Sequence, residues 1–153
     1  MASRSVQKMI TGVNHTSFTV SDLDKSLAFY SDLLGMPILS VGERPVEFAE
    51  KVVAIPKAHL KIAYLDAWGH KLELIQYLSH PGGRATTRTC DVGSAHLCFN
   101  VEDVYAKVRE LTAKGVRFKG IPQVIPAGTN KGGLTVYLED PDGIPLEFIQ
   151  PPK

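Results

Sequence analysis

At 153 residues the chain has the length of one ordinary domain, or of two small repeat modules sharing a core. A formal charge of +1 and an apolar fraction of 44%, with acids and bases interleaved, reserve no face for nucleic acid or anionic lipid. The start holds no apolar run suited to a signal peptide and no membrane-length apolar stretch follows, while Cys90 and Cys98 are too few for a disulfide framework, so the expectation is a cytoplasmic protein with reduced thiols.

From His15 to Val20 the residues alternate, Thr16, Phe18 and Val20 on one face and His15, Ser17 and Thr19 on the other, which predicts a strand. Ser21 or Asp22 then caps a helix whose apolar positions, Leu23, Leu27, Tyr30 and Leu34, fall at helical spacing before Gly35 ends it. Ile38 to Val41, Lys51 to Ile55, Leu60 to Leu65 and Lys71 to Tyr77 read as further strands, with a turn at Trp68-Gly69-His70. Residues 79–92, with Pro81, Gly82 and Gly83, follow neither period and read as a linker between a first module at 9–78 and a second at 93–150.

The pattern then restarts. His96 to Val101 is a strand, Glu102 or Asp103 caps a helix with a buried stripe of Val104, Val108 and Leu111, and Lys114-Gly115 closes it. Val116 to Phe118, Gln123 to Ile125, Thr135 to Glu139 and Pro145 to Gln150 read as strands, the last two joined by Asp140-Pro141-Asp142-Gly143, a type I turn sequence.

Two echoes tie the halves together. His15, Phe18, Val20 and Asp22 return as His96, Phe99, Val101 and Asp103, and Leu72-Glu73-Leu74-Ile75-Gln76 returns as Leu146-Glu147-Phe148-Ile149-Gln150. Each half therefore reads βαβββ, a sheet with a helix on one face and nothing on the other. The expected fold is α+β, two tandem βαβββ modules forming a curved mixed sheet around a shared metal cavity. Strand alternation sends Phe18, Val20, Phe99 and Val101, and Leu72, Leu74, Leu146 and Phe148, to the helix side; His15, Glu73, His96 and Glu147 then face the cavity.

One strand histidine is usually a hydrogen-bonded structural residue, and one buried carboxylate without a partner costs several kcal/mol. Two His and two Glu in matching places instead form an N2O2 donor set, suited to a divalent Mn, Fe, Co, Ni or Zn ion in five- or six-coordinate geometry. Cys98, on the same face as His96, reads as a small wall residue. Gly82-Gly83-Arg84 and Lys131-Gly132-Gly133 do not sit between a strand and a helix start, which excludes a phosphate loop, although the stretch from Gly128 to Gly133 is placed to cover the cavity and meet an anionic substrate. His59, His70 and His80 have no repeat partner and read as surface residues; Trp68 and Tyr64 read as packing or as the rim of the cavity.

These motifs resemble the vicinal oxygen chelate superfamily of glyoxalase I, methylmalonyl-CoA epimerase, extradiol dioxygenases and the fosfomycin and bleomycin resistance proteins. The carriers are His15 with Asp22-Leu23, Phe29-Tyr30 and Leu34-Gly35, then Leu72-Glu73-Leu74, then Gly93-Ser94-Ala95-His96 with Val101-Glu102-Asp103-Val104, then Glu139-Asp140-Pro141-Asp142-Gly143 with Leu146-Glu147. The His-Glu-His-Glu order is similar to that of glyoxalase I, whereas methylmalonyl-CoA epimerases carry Gln at the position of Glu73. The segment from Leu39 to His59 lacks the glutathione-binding residues of a glyoxalase I. The resemblance implies one divalent metal ion and a small-molecule substrate presenting two adjacent oxygens; a homodimer is expected because an open edge strand invites association, and the sequence does not decide whether the modules pair within a chain or across two. The resemblance also implies proton abstraction beside a carbonyl, with Glu147 as base and Glu73 as its counterpart. The alternatives are a ring-cleaving dioxygenase acting on a vicinal diol and a non-catalytic protein that binds a small molecule such as an antibiotic.

Overall fold

The computed structural model describes residues 9–83 and 88–153; residues 84–87 of the expected linker lie outside them. The first half runs β1 (Thr16–Thr19), α1 (Leu23–Leu27) with a π-helical continuation (Ala28–Leu33), β2 (Ile38–Arg44), α2 (Val46–Val53), β3 (Leu60–Ala67) and β4 (His70–Tyr77). The second runs β5 (Leu97–Asn100), α3 (Val104–Ala113), β6 (Gln123–Val124), β7 (Leu134–Glu139) and β8 (Pro145–Gln150). Two four-stranded sheets form with the same order, β1-β4-β3-β2 and β5-β8-β7-β6. In each, the first and last strands pair in parallel and the remaining pairs are antiparallel. The α+β class and the two βαβββ modules are those the internal repeat predicts.

Two strand expectations are corrected. Lys51 to Ile55 belongs to the end of α2 and its exit: Ala49 and Val53, four residues apart, dock on the first sheet, and Ala54 leaves the helix in the left-handed region at φ 55°. A short apolar run such as Val52-Val53-Ala54-Ile55 fits a strand or a helix end equally, and the docking of Ala49 decides it. Val116 to Phe118 forms only an isolated bridge, from Phe118 to Leu138.

The helix starts explain part of the repeat. Asp22 and Asp103 are the N-caps, Asp22 accepting from the Asp24 and Lys25 amides at 3.1 Å and Asp103 from the Ala106 amide at 2.9 Å. The repeated glutamines complete them: Gln76 Oε1 accepts from the Leu23 amide and Gln150 Oε1 from the Val104 amide, both at 3.0 Å. Each module thus ties the end of its last strand to the start of its helix, which fixes where the helix crosses the sheet. The β3–β4 hairpin closes on Trp68 and Gly69, at φ 53° and 93°, between the paired Ala67 and His70. Both central residues at positive φ match the right-handed twist of the flanking strands.

One hydrophobic core joins the halves. Val20, Leu23, Tyr30, Met36, Leu65, Leu72 and Leu74 from the first meet Phe99, Val104, Leu111, Leu138, Leu146 and Phe148 from the second, all buried. Every sheet residue in this core lies on the helix side of its strand. The faces carrying His15, Glu73, His96 and Glu147 are therefore turned away from the region where the two halves meet. The buried Tyr30 hydroxyl donates to Asp140 Oδ2 at 3.0 Å, Asp140 Oδ1 accepts from the Asp142 and Ile144 amides, and the Ser21 amide and hydroxyl donate to Asp142. The Asp-Pro-Asp-Gly turn of the second half is thereby fastened to the helix and strand of the first.

Burial pushes the Tyr30 hydroxyl well above its usual ionisation range, with the Asp140 carboxylate adding to the rise. Unfolded Tyr30 ionises from about pH 10 upward while folded Tyr30 stays neutral, so the unfolded state binds fewer protons there. Stability from this group is complete below pH 10 and is lost as pH rises beyond it. Tyr30→Phe should lower unfolding free energy by about 1–3 kcal/mol at neutral pH, because Asp140 loses a buried donor. It should also flatten the alkaline decline. Denaturant titrations at neutral pH and above pH 10 check both parts.

Candidate metal centre

Each last strand places one carboxylate between two buried apolar residues. Leu72 and Leu74 flank Glu73, and Leu146 and Phe148 flank Glu147. Shifting either strand by one residue would expose those side chains, each worth about 1.5–3 kcal/mol of burial, so the helix-free face is the one position left to the glutamate. The parallel neighbours align with them: Ser17 lies opposite Glu73 and Cys98 opposite Glu147. Two residues earlier on the same faces stand His15 and His96. His15 Nε2 lies 3.3 Å from Glu73 Oε2, and His96 Nε2 lies 3.0 Å from Glu147 Oε2.

The structure thus brings the four expected residues together as two His–Glu pairs, one per module. Among the described residues no three His, Cys, Asp or Glu side chains are gathered in a metal-binding group. Each pair alone supplies one imidazole nitrogen and one carboxylate. That half-set fits a divalent ion as half of an N2O2 shell and is too sparse to hold one alone.

A tyrosine completes each pair in the same relative place. Tyr64 on β3 lies opposite Glu73 and its hydroxyl donates to Glu73 Oε1; His15 and Tyr64 meet edge to face with ring centroids 5.7 Å apart. Tyr137 on β7 lies opposite Glu147, its hydroxyl 3.3 Å from His96 Nε2, and Thr135 donates to Glu147 Oε1. The carboxylates are thereby held through one oxygen, leaving the other directed at the imidazole. The hydrogen bond to Glu73, assisted by burial and by the Glu73 charge, raises the Tyr64 hydroxyl above its usual range, and the Arg44 guanidinium works against that rise. Partial burial and the Glu147 charge raise Tyr137 likewise. Tyr64 had a sequence signal as a possible rim residue. Tyr137 was missed, although its spacing to Glu147 nearly repeats that of Tyr64 to Glu73, one residue longer across the Asp-Pro-Asp-Gly turn.

The helix-free face of the first sheet is not wholly bare. Ala49 and Val53 of α2 pack over Leu60, Ile62, Ile75 and Tyr77, which share a face with Tyr64 and Glu73. The site is an open face bounded by this helix, rather than a closed hole. A cavity of about 590 Å³ between the Trp68 hairpin and the start of α3 touches neither His–Glu pair and lies on the helix side. Of the other candidates, His59 bonds Glu43, His70 bonds Thr16, and His80 bonds Ser79, so each is occupied locally. The stretch from Gly128 to Gly133 is anchored to Ile125 by paired amides, and a Cβ at Gly133 would fall 2.5 Å from the Gln150 carbonyl, so glycine is required there by close backbone approach. That stretch is fixed against the end of β8.

A mixed sheet pair carrying one His–Glu–Tyr cluster per repeat defines a protein built from two matching βαβββ modules. The sequence profile of the Glyoxalase/Bleomycin resistance protein/Dioxygenase superfamily matches residues 12–148, and the chain belongs to that superfamily. It is 34% identical over 140 residues to a probable lactoylglutathione lyase of Synechocystis sp., covering 89% of this chain and 92% of the relative. It is 32% identical over 145 residues to a 2-epi-5-epi-valiolone epimerase of Actinomyces sp., covering 92% and 79%. A glyoxalase family protein of Bacillus cereus superposes with a TM-score of 0.82 at 21% identity, covering 99% of this chain and all of that one.

Cys98 shares the face of Glu147. Partial burial, with the Glu147 charge adding, pushes its thiol up to about 12, which keeps it protonated at neutral pH. Both cysteines are exposed, so the raised thiol alone separates them: iodoacetamide at pH 8 should label Cys90 while leaving Cys98 largely unmodified, as read by peptide mass spectrometry, and prompt labelling of Cys98 would contradict its assignment as an inert wall residue.

Proposed function

We propose that the protein is a metal-dependent lyase or isomerase of glyoxalase type, and that its working site forms between two copies of the chain. The observation that carries this reading is the division of His15, Glu73, His96 and Glu147 into two half-sites on faces turned away from the common core. The first-module half-site of one copy and the second-module half-site of another would together supply the full N2O2 set. A homodimer arranged in this way has two such sites, related by its two-fold axis. Relatives named as a lactoylglutathione lyase and as an epimerase, at about a third identity over nearly the whole chain, support chemistry of this type.

His15, Glu73, His96 and Glu147 would hold the ion. A divalent ion bound there supplies Lewis-acid stabilisation of charge developing on a substrate oxygen. The chain's own residues do the rest. Glu147 takes the proton from the carbon beside the carbonyl through Oε2, the oxygen beside His96, while Thr135 holds Oε1 in place. Glu73 sits on the opposite module and, braced by Tyr64, delivers or accepts the proton on the other side. Two carboxylates flanking one carbon allow a proton to leave from one face and return from the other, which is what an isomerisation requires.

Purified protein should carry about one divalent ion per chain, and His15→Ala or His96→Ala should each reduce that content sharply while thermal melts stay close to wild type. Elemental analysis decides it. In heavy water, deuterium should enter the carbon beside the carbonyl of hemithioacetal or hydroxyketone substrates, and Glu147→Gln should slow that exchange by about 10²- to 10⁴-fold. Oxygen uptake with catechols by the Fe(II) form, without exchange, would move the assignment to a ring-cleaving dioxygenase.

A further inference from the structure

The register of β2 places an unused cation on the face of the first half-site. Ser40, Gly42 and Arg44 lie opposite Tyr64, Ile62 and Leu60, and so share the face of Glu73. Arg44 is only partly exposed, and its guanidinium folds back along the strand: a Cβ at Gly42 would lie 3.7 Å from Arg44 Nη1. The guanidinium therefore lies level with Gly42, within ordinary contact distance of that residue. Its one hydrogen bond runs from Nη1 to the Glu43 carbonyl oxygen, at 3.2 Å, and among the described residues it has no carboxylate partner. The adjacent Glu43, on the other face, is bound to His59 at 2.7 Å. Lys61, also on the other face, is bound to Asp24 at 3.0 Å.

The surroundings define what this cation can meet. On one side α2 stands over Leu60, Ile62, Ile75 and Tyr77; on the other lie Tyr64 and Glu73. Gly42 is two residues from Ser40, the residue level with Tyr64, so the guanidinium sits about 7 Å along the strand from the tyrosine, at about 3.4 Å per residue. A planar fork with free donors, next to apolar walls, matches a carboxylate in a bidentate pair.

We infer that Arg44 binds a carboxylate carried by the substrate, several bonds from the carbonyl that reacts between the glutamates. The inference rests on the proposed proton-abstraction site and adds the substrate class: small hydroxyketones or oxo compounds ending in a carboxylate. The guanidinium sets the register of the substrate against Glu73, while Leu60 and Ile62, buried under α2, form the wall behind it.

The test uses the metal-loaded full-length protein and a matched pair, 5-hydroxy-4-oxopentanoate and its neutral counterpart 1-hydroxypentan-2-one. In heavy water the wild-type protein should exchange the carboxylate with kcat/KM about 10- to 100-fold above the neutral compound, the range of one charge-assisted hydrogen-bonded pair. Arg44→Gln should erase that advantage while leaving the neutral compound's exchange and the metal content unchanged. An advantage that survives Arg44→Gln overturns the inference and leaves the reaction standing. Binding is followed separately by the Arg44 Nε–Hε resonance during titration with 5-hydroxy-4-oxopentanoate, assigned by its loss in Arg44→Gln. A saturable shift without exchange of either compound supports Arg44 and overturns the reaction; no shift at saturating concentration overturns Arg44 whatever the exchange shows.

Discussion

The alternation of one strand per module governs this molecule. In β4 and again in β8 a glutamate stands between two residues that the core cannot release, Leu72 and Leu74 in one, Leu146 and Phe148 in the other. A strand has only two faces, so the carboxylate goes wherever the core is not. The same rule carries His15 and His96 to that side through β1 and β5, whose helix-side residues Phe18 and Phe99 pack inward. Burial of hydrocarbon thus positions the polar groups, and the hydrogen bonds of Tyr64, Thr135 and Tyr137 then orient them.

Where the two halves meet decides what those groups can do. The helix-bearing faces share one core, tied by Tyr30 and Asp140 and by Ser21 and Asp142, so the half-sites look outward. Turning the modules over to face each other within one chain would break that core and leave the Asp140 carboxyl, 2% exposed, without its tyrosine donor. A second chain can supply the missing half-site at no such cost. On the proposed reading, duplication followed by exchange between copies would account both for the matched repeats and for their separation here.

Much of this was legible in the sequence because the repeat supplied its own control. A His or Glu in one strand says little, but His15 with His96 and Glu73 with Glu147 at matching places marked the face and the βαβββ unit. The echo of Gln76 in Gln150 was visible too, although only the structure shows each glutamine holding a helix amide. Features outside the repeat were harder to read. The run ending α2 has no counterpart in the second half, and its apolar residues fit a strand as well as a helix until Ala49 and Val53 are seen against the sheet. Arg44 escaped notice because its significance lies in the register of β2, which is not a local pattern. Sequence also left open whether the modules join within a chain or across two, since both arrangements use the same alternation.

The central claim, that each working site takes one half from each of two chains, is tested most directly by pairing two defective proteins. His15→Ala and His96→Ala chains are co-expressed with different affinity tags and the mixed dimer is isolated. If sites form across chains, one site of the mixed dimer carries both defects and the other carries none. Metal content and deuterium exchange should then return to about half of the wild-type dimer, well above either variant alone. If each site forms within one chain, every site in the mixed dimer still lacks a histidine, and a mixed dimer no better than its parents would contradict the account.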